Sequence, residues 1–180
     1  MAQQTSQEPK IVLYQIGRGP FAPSLTPFAI KLETYLKMAK LPYTNFHGRK
    51  ASSKGKFPWI EYNGQEVADT SFIIQFLNEK HHIDLNSHLS DSDRAIARAF
   101  RKMAEENLYW CTVSQRWVYD KSDFLSKVAG FPKFFLWLIR RNVKSELYEQ
   151  GMGRHSEAEV LQIMEGDLKA ISDFLGLNNS

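Results

Sequence analysis

The stretch from Lys56 to Leu77 limits the fold more than any other part of the chain. Pro58 opens a strand-forming run, Trp59-Ile60-Glu61-Tyr62, which ends at Asn63-Gly64. Asn-Gly is the preferred pair for a two-residue hairpin, because both central residues must accept positive φ. Val67-Ala68 then leads into Asp69-Thr70 and an apolar segment of helical character ending near Leu77. The stretch therefore predicts strand, tight turn, strand and helix. A proline at the head of a central strand deletes a ladder donor. A cis bond is expected there, exposing the backbone N–H and C=O of Phe57. Open backbone groups beside a helix N-terminus suit an extended peptide and its carboxylate.

The rest of residues 10–82 alternates element types. Residues 10–16 are apolar and β-branched and predict a strand. Residues 17–23 are rich in glycine and proline and predict a loop. Phe28, Leu32, Tyr35, Leu36 and Ala39 recur at helical spacing within residues 24–40. Thr26 suits an N-cap and Pro27 a first turn. Residues 43–47 predict a short strand, and residues 48–56 a loop. Strand, helix and strand in succession favour a parallel pair, to which the hairpin adds two antiparallel strands. Residues 83–90 read as a polar linker.

Residues 91–176 contain no strand signal. One long helix is expected over 91–118, with Ala95, Ala99, Met103 and Leu108 among its apolar positions, then a loop or short helix over 120–130. A second helix is expected over 131–152. A third runs over 156–175 and opens with Ser156 and Glu159 at capping-box spacing. Residues 1–9 and 177–180 read as polar tails, the first of them disordered.

Composition narrows the function. The net charge of +3 and the absence of a basic stripe interleaved with aromatics argue against nucleic acid. The most apolar run, residues 131–139, is far short of the ~20 residues that span a bilayer. One cysteine, Cys111, rules out an internal disulfide, and its apolar setting marks it as a buried thiol. His81, His82 and His88 lack a partner cluster of Cys or carboxylates, so no metal site is expected. Arg49, Lys50, Lys54 and Lys56 form a basic loop, either simply solvated or attracting a small anion.

Three blocks, residues 23–36, 54–61 and 69–74, followed by Leu108-Tyr109-Trp110 and residues 151–156, give the chain a specific resemblance. It is similar to the failed axon connections and cadmium-responsive proteins, and more distantly the metaxins, within the glutathione transferase-like superfamily. The resemblance covers residues 10–176. It implies an α+β thioredoxin-like N-terminal domain over 10–82 and an all-α glutathione transferase-like C-terminal domain over 91–176. Family members continue past a segment like Phe174-Leu175-Gly176, so the helical domain is expected to be incomplete, as if truncated. Uncovered apolar surface there is expected to make the protein aggregation-prone or dependent on a partner.

The resemblance also implies a glutathione site. Phe57, ahead of Pro58, would pair its backbone with the cysteinyl part. Asp69 and Thr70 would hold the γ-glutamyl group, and Lys56 could reach the glycyl carboxylate. The same Asp69 and Thr70 make an ordinary helix cap. Catalysis needs a group that stabilises the thiolate. Thr26 aligns with the family's Ser or Cys, Ser24 lies two residues upstream, and Tyr14 lies on the first strand. Tyr109, Trp110, Arg116 and Trp117 lie where the superfamily lines its electrophile pocket, though core and domain-interface packing is the favoured explanation for them. Two functions are therefore expected. One is a non-catalytic or weakly active binding or scaffold protein, linked to axon development, with a protein partner on the helical domain. The alternative is a transferase joining glutathione to a small hydrophobic electrophile. A cytoplasmic location, peripheral organelle association and a homodimer are further implications of the resemblance.

Overall fold

A computed structural model describes residues 10–18, 22–120 and 132–177. The expected tail at 1–9, Gly19-Pro20-Phe21 of the first loop, the segment 121–131 and the last three residues lie outside that range. The chain divides into two units between Ser87 and His88.

The first unit runs β1 (Ile11–Gln15), α1 (Pro27–Met38), β2 (Thr44–His47), β3 (Trp59–Tyr62), β4 (Gln65–Ala68) and α2 (Thr70–His81). The strand order is β2-β1-β3-β4. β1 is parallel to β2 and antiparallel to β3, and β4 is antiparallel to β3. Asn63 and Gly64 both take positive φ, 49° and 86°, as the turn requires.

Alternation along β1 and β3 sorts the side chains between the two faces of the sheet. Ile11, Leu13 and Ile60 meet Leu32, Tyr35 and Leu36 of α1 and Ile73 and Leu77 of α2 in one core. Each such aliphatic, once buried, contributes about 1.5–3 kcal/mol. On the opposite face the Tyr14 and Trp59 rings stack at 3.9 Å and 4°, with Phe46 at 4.9 Å from Tyr14. The loop after β2 folds over these rings. Trp59 Nε1 donates to the Lys50 carbonyl at 2.8 Å, and Lys50 Nζ lies 5.2 and 5.3 Å from the two ring centres. Ser53 donates through N and Oγ to Glu66 Oε1 at 2.7 and 2.6 Å, and these bonds hold the Glu66 carboxyl below the usual range. The basic loop is thus tied down by its own contacts.

One polar group sits at the junction of α1, β1 and β2. Glu33 is buried on α1 and accepts from Gln15, from Asn45 Nδ2 at 3.2 Å and from Tyr43 OH at 3.0 Å. Gln15 also donates to Asn45 Oδ1 at 2.8 Å. Burial first, then the Glu33 hydrogen bond and charge, push the Tyr43 hydroxyl up to about 12, with Arg18 opposing.

The second unit starts with α3 (Asp91–Lys102), which continues without a break through a π-helical segment (Met103–Leu108), α4 (Tyr109–Ser114) and a second π-helical segment (Gln115–Tyr119). The long helix expected over 91–118 is thus continuous, with two π-helical segments inside it. Ala95 and Ala99, two of the apolar positions read from sequence, are exposed, while Met103 and Leu108 at the ends of the first π segment are half-buried. Then come α5 (Lys133–Gln150), a 3₁₀ turn (Met152–Arg154) and α6 (Glu157–Leu177). Cys111, Leu147, Met152 and Val160 form the core, and burial raises the Cys111 thiol. A Cβ on Gly153 would lie 2.7 Å from the Tyr148 backbone nitrogen, so only glycine lets the 3₁₀ turn sit this close to α5. Ser156 and Glu159 form the expected reciprocal cap, with Ser156 N donating to Glu159 Oε2 at 2.7 Å.

Tyr43 generates a pH prediction. Below pH 10 its hydroxyl stays protonated in both states, and its stabilising effect is present in full. Between 10 and about 12 the unfolded chain gives up the proton first, so stability falls across that window. Tyr43→Phe should remove this part of the alkaline loss. Urea midpoints measured at intervals from about pH 9 to about pH 12 would reveal it as a flatter profile.

Candidate functional site

Three chain segments meet at one end of the sheet. Tyr14 pairs with Trp59, and Trp59 with Ala68. The exit of β1, the entrance of β3 and the exit of β4 are therefore neighbours. Pro58 precedes Trp59 and Asp69 follows Ala68, so both stand at this edge. α1 begins there too, because it follows β1 and returns to a parallel β2.

The α1 start is held by its own hydroxyls. Thr26 is the N-cap, with Oγ1 accepting from Ala29 N at 3.2 Å. Ser24 is buried, and its Oγ accepts from Thr26 N at 3.4 Å. Among the described residues nothing accepts the Thr26 hydroxyl proton, so that proton can go to a ligand. Tyr14 is placed differently. It lies on the opposite face of the sheet, with its hydroxyl 3.4 Å from Glu61, and burial and Glu61 raise its pKa.

At the β3 entrance the Phe57–Pro58 peptide bond is cis. Pro58 is buried and Phe57 half-buried. Neither the N–H nor the C=O of Phe57 has a partner among the described residues. By contrast, the Lys56 backbone is engaged on both sides by Ser52, through bonds of 3.2 and 3.0 Å to its hydroxyl and one of 3.2 Å to its N–H. The Lys56 side chain is exposed.

Asp69 caps α2, with Oδ1 accepting from Ser71 N at 2.9 Å, and takes φ 77°. That conformation is uncommon for a residue with a side chain, and such outliers cluster at ligand sites. Thr70 opens α2 and is buried. Two lysines join it, Lys54 from the basic loop and Lys31, which the sequence reading did not single out. Lys31 of α1 donates from Nζ to Thr70 Oγ1 at 3.3 Å, and Lys54 Nζ lies 5.1 Å from the ring centre of exposed Phe72 in the first turn of α2. Lys31 falls inside the helical motif of residues 23–36, but nothing in its period says that it reaches across to α2. No group of three or more His, Cys, Asp or Glu suited to a metal ion occurs among the described residues. The edge thus brings the cis bond before Pro58 beside the N-terminus of α2.

The sheet topology and the helices on one face define a thioredoxin-like domain followed by a mostly helical unit. Residues 27–122 match the glutathione S-transferase N-terminal domain family. Failed axon connections of Drosophila melanogaster is 31% identical over 92% of this chain and 44% of its own length. Isoprene-epoxide–glutathione S-transferase of Rhodococcus sp. is 31% identical over 85% of this chain and 71% of its own. Among solved structures, the beta-etherase LigF of Sphingobium sp. strain SYK-6 aligns with a TM-score of 0.53 at 18% identity, over 88% of this chain and 68% of that one, which supports the fold. The chain belongs to the glutathione S-transferase-like superfamily, in the branch that holds Failed axon connections. It spans less than half the length of that relative.

The cap at Thr26 is structural whatever binds beside it. Thr26→Ala should lower stability by about 1 kcal/mol, while Thr26→Ser should keep most of it. Chemical denaturation of the three proteins without ligand checks this.

Proposed function

We propose that the first unit binds glutathione at this edge of the sheet and that the protein acts chiefly by binding. The observation that carries the reading is the unpaired backbone of Phe57 at the same edge as the α2 N-terminus. An extended thiol peptide gains two backbone hydrogen bonds at Phe57, and its carboxylate end meets the helix amides and Thr70. Asp69 offers a carboxylate for the peptide's ammonium, and Lys56 a cation for the distal carboxylate.

Turnover is weak or absent in this reading. Thr26 supplies a single hydroxyl proton to a bound thiol, and among the described residues no base is hydrogen-bonded to it. Ser24 is buried, and Tyr14 faces away. The helical unit then offers the surface for a protein partner, and a second copy of the chain is one such partner. A role linked to axon development, the metaxin relationship and a cytoplasmic or peripherally attached location belong to the same proposal. The axon link is carried by the name of the Drosophila relative alone. No helix among the described residues is long and apolar enough to cross a membrane. The Rhodococcus relative supports the second reading, an active transferase taking a small hydrophobic electrophile such as an epoxide.

Calorimetric titration with reduced glutathione separates these readings. The wild-type protein should bind in the micromolar-to-millimolar range, and the double variant Asp69→Ala/Thr70→Ala should lose that heat while remaining folded. A folded wild-type sample that gives no heat would refute the glutathione site. Conjugation of a small epoxide that falls on Thr26→Ala would instead establish the transferase.

A further inference from the structure

We propose that the N-terminal half of α5 docks on a membrane surface rich in anionic phospholipid and lies in its headgroup layer. The proposal goes beyond the glutathione reading and does not depend on it. Phe134, Phe135, Trp137 and Leu138 are 67%, 56%, 56% and 38% exposed. All four fall within little more than one turn of helix, so their apolar surface is contiguous. The Phe134 ring lies 6.3 Å from those of Phe135 and Trp137. Single exposed apolar residues need no explanation, but a cluster of rings marks an interaction site. Leu136 and Leu147, on the other side of α5, are buried and seat the helix in its own unit. The rings therefore face outward from a helix that is already packed.

The charge beside the rings identifies the partner. Residues 132–145 contain no Asp or Glu, and the acids of α5, Glu146 and Glu149, come only in its last turns. Arg141 and Lys144 are exposed. They follow Trp137 at helical spacing, on the side of α5 that Phe134, Trp137 and Leu138 share. Arg140 is drawn instead to the Asp120 carbonyl. The rings thus come first and two free cations follow along one face. A protein groove would have to supply an acid for each cation at a fixed place. A layer of anionic headgroups meets both cations at any rotation about the membrane normal, while the rings enter the acyl boundary. Trp137 suits that layer, with an apolar body and an indole N–H that has no partner among the described residues. No helix among the described residues is long and apolar enough to cross a membrane, and the mixed face of α5 fits one that lies on it.

Sedimentation of the full chain with vesicles tests this, using phosphatidylcholine alone or mixed in equal parts with phosphatidylserine. The wild-type protein should prefer the mixed vesicles, and added salt should weaken that binding. Arg141→Gln/Lys144→Gln should lose about thirtyfold on the mixed vesicles, roughly fivefold for each cation, and little on the neutral ones. Phe134→Ser/Trp137→Ser should lose binding to both. Leu168→Ser/Leu175→Ser, which removes two exposed apolar residues of α6, should keep it. A folded wild-type protein that binds neither vesicle overturns the proposal and leaves the rings to a protein partner. Equal binding to both vesicles overturns it, as does an equal loss in the α6 variant. Should the aromatic variant fail to fold, the charge variant decides: reduced binding to the mixed vesicles supports the proposal and unchanged binding overturns it. Glutathione titration of the same sample is a separate readout, so either reading can fail alone.

Discussion

The register of β3 is the constraint on which the first unit depends. β3 lies between β1 and β4, and side chains on a strand alternate between faces. A slip of one residue would send Ile60 to the outer face and Trp59 into the core beneath α1 and α2. The same slip would move Pro58 and Phe57 away from the start of α2. The Asn63-Gly64 turn and the Trp59 bond to the Lys50 carbonyl hold the register from both ends. Core packing and the candidate site are therefore two results of one alignment.

Local signals made much of this unit legible from sequence. Asn63-Gly64 announced the hairpin, Thr26-Pro27 the start of α1, and Ser156 with Glu159 the start of α6. Each is a short-range device whose partner lies within four residues. The contacts of the lysines near this edge were less visible, although Lys54 stood out as part of the basic loop. Lys31 reaches Thr70 across 39 positions, and Lys54 meets Phe72 in a different element. A helix period says which face of α1 is apolar. It does not say which residue at the margin of that face will meet the next helix. The Glu33 group was missed for the same reason. Gln15, Asn45 and Tyr43 come from three places in the chain, and a glutamate in an otherwise apolar stripe looks like a solvated charge until its partners are seen.

The two polar centres on α1 act differently. Glu33 points toward the β1–β2 side, and its three donors tie helix to sheet. Lys31 points toward α2, where its Nζ donates to Thr70 Oγ1. One helix thus carries a polar tie to the sheet and another to its neighbouring helix.

The π-helical segments of the second unit have a consequence for how its surface is oriented. Each residue turns an α-helix by about 100°, so a turn that takes up one extra residue resets the phase of everything beyond it. Cys111 and Ser114 are buried on the far side of the first such turn. With an unbroken α-helix the later part of the helix would present a face rotated by roughly a quarter turn. The wide turn works as an angular adapter. It sets the face through which Cys111 meets Leu147, Met152 and Val160 in the core.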